Sequence, residues 1–323
     1  MDKKRHHFNP EAYLNFFCNE EGQVCIYRKD DPTKVIFQSP KNFGFHKYYY
    51  SQPLPEGGKD NNSLEDLFSE FETKWTPIIK KMLKREDINN HFQDILEFMA
   101  LQWSRVPANR DFFENMLAQT AKETIHLLHK AEKLPPLPKG FPHFMDSIEI
   151  SVNPHKSIHA MVEMIRAIST EVFPRMGFCV FYNSTNMTFL TSDNPVAFFD
   201  PSIPEEMMQP YTLRVHGPAS LLFPVTPNLL IYGHSNIFDQ FLSSGLEYKE
   251  LSDREQVKRV NRHICRFGYQ NIYSYDLSHA ALIKKYAEVS PVLRSHTIPD
   301  MNGKKIVFSY KFGKRTRKAK WRA

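Results

Sequence analysis

Thr191-Ser192-Asp193-Asn194-Pro195 is the densest run of chemically capable side chains in the sequence. It ends one apolar run, Phe189-Leu190, and precedes another, Val196-Ala197-Phe198-Phe199. Its polar groups therefore fall at the end of an expected strand. Asp193 there can act as a metal ligand, a general base or the orienter of a histidine. Ser192 and Asn194 beside it can hydrogen-bond a substrate. The same residue types also make an Asx turn, in which the side chain accepts backbone N–H bonds and proline holds the preceding residue extended. Both readings stand at this level.

His6-His7-x-x-Pro10-x-x-Tyr13-Leu14 is the second constellation. Adjacent histidines in a loop can chelate a metal or contact phosphate. They follow Lys3, Lys4 and Arg5, so a plain basic terminus is the alternative. Arg105 and Arg110 flank a helix junction, and their planar guanidinium groups suit phosphate or carboxylate. The plainer reading has them bonding the last carbonyls of the preceding helix. His155, His159 and Glu163 stand at i, i+4 and i+8, a zinc-compatible spacing, but without a further nearby ligand they read as surface. Asn261 lies between Val257 and Ile264 on the buried face of its helix. Its amide must be satisfied there, with a partner expected in the central sheet near the 191–195 turn.

Combined, these residues suggest a nuclease or phosphodiester hydrolase acting on nucleic acid or nucleotide. His6 or His7 would be the general base, or His6 with Asp193 would hold a divalent metal. Arg105 and Arg110 would clamp phosphate, and Ser192, Asn194 and Asn261 would contact substrate. The alternative is a non-catalytic module that binds nucleic acid or protein through the aromatic cluster at 43–50 and the basic tail. Among the bases of that tail are Lys311, Lys314, Arg315, Arg317, Lys318, Lys320 and Arg322. These seven charges exceed the net +6, leaving −1 for the rest of the chain. Any polyanion affinity inferred from charge therefore belongs to the tail.

Other classes lose ground. No run of eighteen uncharged apolar residues marks a membrane span, and the basic N-terminus lacks the apolar core of a signal peptide. The cysteines (Cys18, Cys25, Cys179, Cys265) form no C-x-x-C pair and sit among apolar neighbours. Reduced, buried thiols in a cytoplasmic protein are expected. Gly-rich phosphate loops, G-x-S-x-G and H-E-x-x-H are absent.

The elements that must position these groups follow from hydrophobic period. A hairpin is expected over 22–38, turning at Asp30-Asp31-Pro32-Thr33. Helical stripes mark a helix from Ser63, opened by a Ser63/Asp66 capping box and kinked at Pro77, then two more from 88 and from Pro107. A Pro-rich crossover over 134–142 leads to a fourth helix capped by Asn153. After Pro174 the period falls to two, predicting strands at 178–182, 187–190, 196–199, 221–223 and 229–232. The first two would be antiparallel neighbours across a short turn. A helix capped at Ser252 stops at Gly268, followed by strands near 271–275 and 305–308. Helices and strands are segregated, which predicts α+β: a central antiparallel sheet with a separate layer of long helices. The expected organisation is one domain over 1–300, with its helical layer at about 63–173, a sheet-rich part at 177–275, and a last strand and basic tail at 301–323.

The chain resembles DUF4238, a mainly bacterial family without an assigned function. The resemblance rests on His6-His7-x-x-Pro10-x-x-Tyr13-Leu14-x-x-Phe17, Arg105-Val106-Pro107, the Thr-Ser-Asp-x-Pro turn at 191–195 and Phe223-Pro224-Val225-Thr226-Pro227. It covers most of residues 5–275 and implies no activity.

Overall fold

The computed structural model describes residues 3–135, 150, 156–300 and 303–315. The crossover beyond Pro135, the Asn153 cap, His155 and the side chain of His159 lie outside the described residues, as do Arg317, Lys318, Lys320 and Arg322 of the tail.

The fold is α+β. Long helices run over Ser63–Leu83, Phe92–Ser104, Pro107–Lys130 and Lys156–Ala167, before most of the sheet. A five-stranded sheet follows in the order Glu247–Leu251, Gly177–Asn183, Leu229–His234, Ser220–Thr226, Ala197–Phe199. Its period-two alternation divides two cores. Phe178, Val180, Leu221, Phe223, Leu229 and Ile231 face the helical layer. There Trp75 stacks on Phe98 at 3.9 Å and Tyr13 stacks on Phe223 at 5.5 Å. Phe181, Leu222 and Leu230 face the opposite way, toward the Arg254–Phe267 helix. That helix carries Val257, Ile264 and Phe267 on its buried side. A second sheet, ordered Val35–Gln38, Val24–Arg28, Asn271–Ser274, Thr191–Ser192, contains the expected hairpin.

Several expectations are corrected. Residues 187–190 form no strand. The neighbours of Gly177–Asn183 are Leu229–His234, antiparallel, and Glu247–Leu251, parallel. The reason is local. Asn183 closes its own turn by donating to Met187 O at 2.6 Å and accepting from Thr185 N, and the chain then crosses to the second sheet. At Ser63 the cap is not a capping box: Asp60 Oδ1 accepts from Asn62 N and Ser63 N. At the later helix, Asp253 rather than Ser252 is the cap, accepting from Glu255 N at 2.8 Å. The last strand extends over Gly303–Gly313 and pairs with Ser290–Asp300, whose sparse apolar residues do not mark a strand. Among the described residues no helix is long and apolar enough to cross a membrane.

Candidate ligand-binding cleft

The N-terminal histidines are built into a β-pairing of Arg5–His7 with Phe45–Lys47. His6 is fully buried and stacked on Tyr50. Its Nδ1 accepts from Tyr50 N at 2.8 Å, which leaves Nε2 to carry the proton toward Lys3 O at 3.0 Å. Burial lowers its pKa, so the ring is neutral at pH 7. For His7, burial, followed by the charges of Arg105 and Arg5, pushes the pKa down to about 4. The arginines meet carboxylates, as guanidinium groups should, but those carboxylates belong to this chain. Arg105 donates to Glu72 at 2.9 Å and to Gln102 at 3.2 Å. Arg110 donates to Tyr49 O and its Nε lies 3.5 Å from Glu114. Both guanidinium groups, expected as a phosphate clamp, thus have internal partners.

The 191–195 turn is a buried junction. Thr191 Oγ1 lies 2.5 Å from Tyr13 OH, which donates to Pro224 O at 2.7 Å. Ser192 Oγ accepts from Asn194 N at 3.1 Å. Asp193 Oδ1 accepts from Tyr269 N at 2.8 Å, and Oδ2 accepts from Gln270 N at 2.7 Å and Asn271 N at 3.1 Å. Asn194 Nδ2 donates to Phe267 O at 2.7 Å and to Tyr211 OH. Asn261 is fully buried, as its position on the apolar stripe predicts. Its Oδ1 accepts from Leu190 N and its Nδ2 donates to Thr188 O, both at 2.8 Å. The amide stands in for a neighbouring strand. Asn261→Ala should therefore leave two buried backbone groups unpaired and cost about 2 kcal/mol, read by urea denaturation. A cost below about 0.5 kcal/mol would show that water replaces the amide.

The hydrogen-bond partners of Asp193 and of His6 have no residue in common. His6 has its only acceptor nitrogen occupied, so this pair does not fit a divalent metal. Among the described residues no group of three or more His, Cys, Asp or Glu is arranged to hold one. What the turn and the residues just before it do is anchor the Arg254–Phe267 helix: Thr188 and Leu190 bond Asn261 at its middle, Asn194 bonds its last carbonyl and Asp193 bonds the N–H groups just beyond its end.

The anchored helix overhangs the sheet face that points away from the helical layer. Between them lies a cleft of about 450 Å³. Phe181, Phe199, Leu222, Leu230 and Tyr232 form its floor, Gln256, Arg259, Val260 and His263 its roof, and Pro201–Met208 its wall. Ligand sites commonly measure roughly 300–1,000 Å³ and combine apolar walls with a few polar groups. Those groups are here. His263 is buried and stacked on Phe199, ring centroids 4.6 Å apart. Its Nε2 lies 3.5 Å from Glu205 Oε1. Burial pushes its pKa down to about 4, against the pull of Glu205. Burial works against ionisation of Glu205, but the Arg262 bond at 2.8 Å and the charges of Arg262 and Arg266 hold its carboxyl below the usual range. Neutral His263 therefore faces a carboxylate, which can only accept, so Nε2 carries the proton. Nδ1 is left as a bare acceptor, buried and without a hydrogen-bond partner. At the mouth Arg259 is exposed and makes no ion pair among the described residues.

No local motif announces this cleft. Glu205 and His263 are 58 positions apart, and each has an ordinary context. The available signal is the basic series Arg259, Arg262, His263, Arg266, whose 3- and 4-residue spacing keeps charge beside the apolar stripe. In the tail, Lys314 pairs with Glu288 at 2.5 Å and Arg315 lies over the Tyr269 ring.

The family model described as protein of unknown function (DUF4238) matches residues 5–278, a span that includes the turn and the whole cleft. No curated protein and no solved structure matches the chain.

Proposed function

The chain belongs to the DUF4238 family of proteins of unknown function, and we propose that it binds a small molecule with an anionic end and an apolar body in the cleft under the Arg254–Phe267 helix. The observation that carries this reading is a cleft of about 450 Å³ lined by His263, whose buried Nδ1 has no hydrogen-bond partner, and by the exposed Arg259, which makes no ion pair among the described residues. Apolar walls supply burial, and the two polar groups fix orientation. Four free cysteines support a reducing, cytoplasmic setting.

A thermal-shift screen of small organic anions on the full chain tests it. A ligand at about 100 times its Kd stabilises the folded state by about 2.7 kcal/mol. Val260 is half-buried on the roof, so Val260→Trp should fill the cleft while the helix still forms. Hits are expected to raise the Tm of the wild type and leave the variant unmoved. Equal shifts in both proteins would place the binding elsewhere.

Phosphodiester hydrolysis is the second reading, and one observation favours it at this site. A histidine with a bare Nδ1, backed by a carboxylate at its other nitrogen, is arranged as a general base. It predicts turnover of an activated phosphodiester such as bis(p-nitrophenyl) phosphate that falls about 100-fold or more in His263→Gln. Binding without turnover leaves the first reading alone.

A further inference from the structure

The inner end of the cleft is not apolar, and that restricts what can fill it. His263 Nδ1 is buried without a hydrogen-bond donor, and Glu205 Oε1 has only the distant Nε2–H of His263, at 3.5 Å. A saturated chain lying against them would leave Nδ1 unpaired and Oε1 weakly paired, which is costly. A ligand that satisfies them presents N–H or O–H donors at that end. The surrounding surface is aromatic: Phe181, Phe199, Tyr232 and the imidazole itself. Flat π faces suit a planar ring, and stacking of heterocycles on such side chains is strong and tolerant of ring identity. Arg259 is four residues before His263 on the same helix. Positions i and i+4 share a face about 6 Å apart along the axis. The cation thus sits one turn from the acceptors, at an exposed position, whereas His263 is buried. Its fork of donors matches phosphate oxygens.

We propose that the occupant of the cleft is a nucleoside monophosphate, its base against Phe199 and the acceptors of His263 and Glu205, its ribose across the roof at Val260, and its phosphate on Arg259. This rests on the cleft being a ligand site and names the ligand class.

Calorimetric titration of the full chain tests it with the four ribonucleoside 5′-monophosphates, their nucleosides, inorganic phosphate and dodecanoate. At least one monophosphate is expected to bind with one site per chain. Its nucleoside should bind about tenfold more weakly or worse, the loss of one charge-assisted contact. Arg259→Ala, at an exposed position, should bring the monophosphate to the nucleoside's affinity and leave the nucleoside unchanged. On the ligand side, purine riboside lacks the exocyclic N–H donors of adenosine and guanosine. It should bind about tenfold more weakly than the better of them, without relying on a buried variant to fold. An unchanged monophosphate affinity in Arg259→Ala overturns the proposal, as does inorganic phosphate binding as tightly as the monophosphate. Dodecanoate binding to the wild type and not to Val260→Trp, with no nucleotide binding, overturns the nucleotide assignment and keeps the cleft. If no compound binds, here or in the thermal screen, the cleft reading falls as well.

Discussion

Asp193→Ala is expected to destabilise the chain by about 4 kcal/mol, because one carboxylate terminates three backbone donors. Tyr269, Gln270 and Asn271 all aim their N–H groups at it in a fully buried turn. An orphaned buried donor costs about 1–3 kcal/mol, and water entering the space left by the side chain recovers part of the sum. The whole stability of a domain is about 5–15 kcal/mol, so poor expression is the expected phenotype, and urea unfolding of the soluble fraction gives the number. A hydrolase built on Asp193 predicts the opposite pattern, lost turnover at unchanged stability. A cost under about 1 kcal/mol would remove the structural account.

Asp193 also sets a pH signature. Burial pushes its carboxyl up to about 6, while the three N–H bonds and the charge of Lys29 hold it from rising further. Its folded pKa therefore lies above the unfolded value of about 4. A raised pKa contributes stability that is complete below about pH 4 and lost as pH rises through about 6. At about 1.4 kcal/mol per unit this amounts to roughly 3 kcal/mol. Asp193→Asn does not titrate, so the wild type should gain on it by that order between pH 7 and pH 4. A gap that stays constant over this window would mean that the carboxyl titrates in its ordinary range.

How much of this was legible in the sequence depends on the range of the interaction. Stripes such as Trp75, Ile78, Ile79 and Met82 mark their helix because the period is local, and the short continuous apolar run at Leu221–Val225 marks a strand buried on both faces for the same reason. Asn261 was legible too: an amide among Val257, Ile264 and Phe267 must find a partner, and Pro195 after Asp193 and Asn194 required a turn. What the turn is for was not legible. Its types fit catalysis and capping equally, and only the positions of Tyr269, Gln270 and Asn271 decide how Asp193 is used. The edge strand Glu247–Leu251 pairs in parallel because the Phe238–Ser244 helix carries the chain back across the sheet. Glu205 and His263 meet through tertiary contacts alone: Arg262 and Arg266 bond Glu205 directly, on a helix that Asn194, Asn261 and Asp193 fix in place. The turn and the cleft are thus linked through one helix: the side chains of Asp193 and Asn194 bond backbone groups at the helix end, and that helix is the roof of the cleft.

Lys29→Met is expected to cost about 3 kcal/mol, and its coupling to Asp193 is the sharper test. In sequence, Lys29 stands just before the expected Asp30-Asp31-Pro32-Thr33 turn, with nothing to mark it as buried. Yet Lys29 is buried and spends its three protons on Cys265 O at 2.8 Å, Gly268 O at 2.7 Å and Val289 O. The carbonyls of Cys265 and Gly268 lie at the end of the same helix that Asp193 caps from beyond, and that of Val289 just before the Ser290–Asp300 strand, so the ammonium serves the carbonyls and the carboxylate serves the N–H groups. Removing one member of a buried charge pair leaves the other uncompensated, typically at about 3–5 kcal/mol. Once Asp193→Asn has removed the negative charge, Lys29→Met no longer strands it. The double variant should therefore cost less than the sum of the single variants by about 1 kcal/mol or more. Additive costs would mean two independent caps on one helix end. Coupled costs would mean that the roof of the cleft is held by a single charged node, and that the N-terminal hairpin, which supplies Lys29, is part of the ligand site's support.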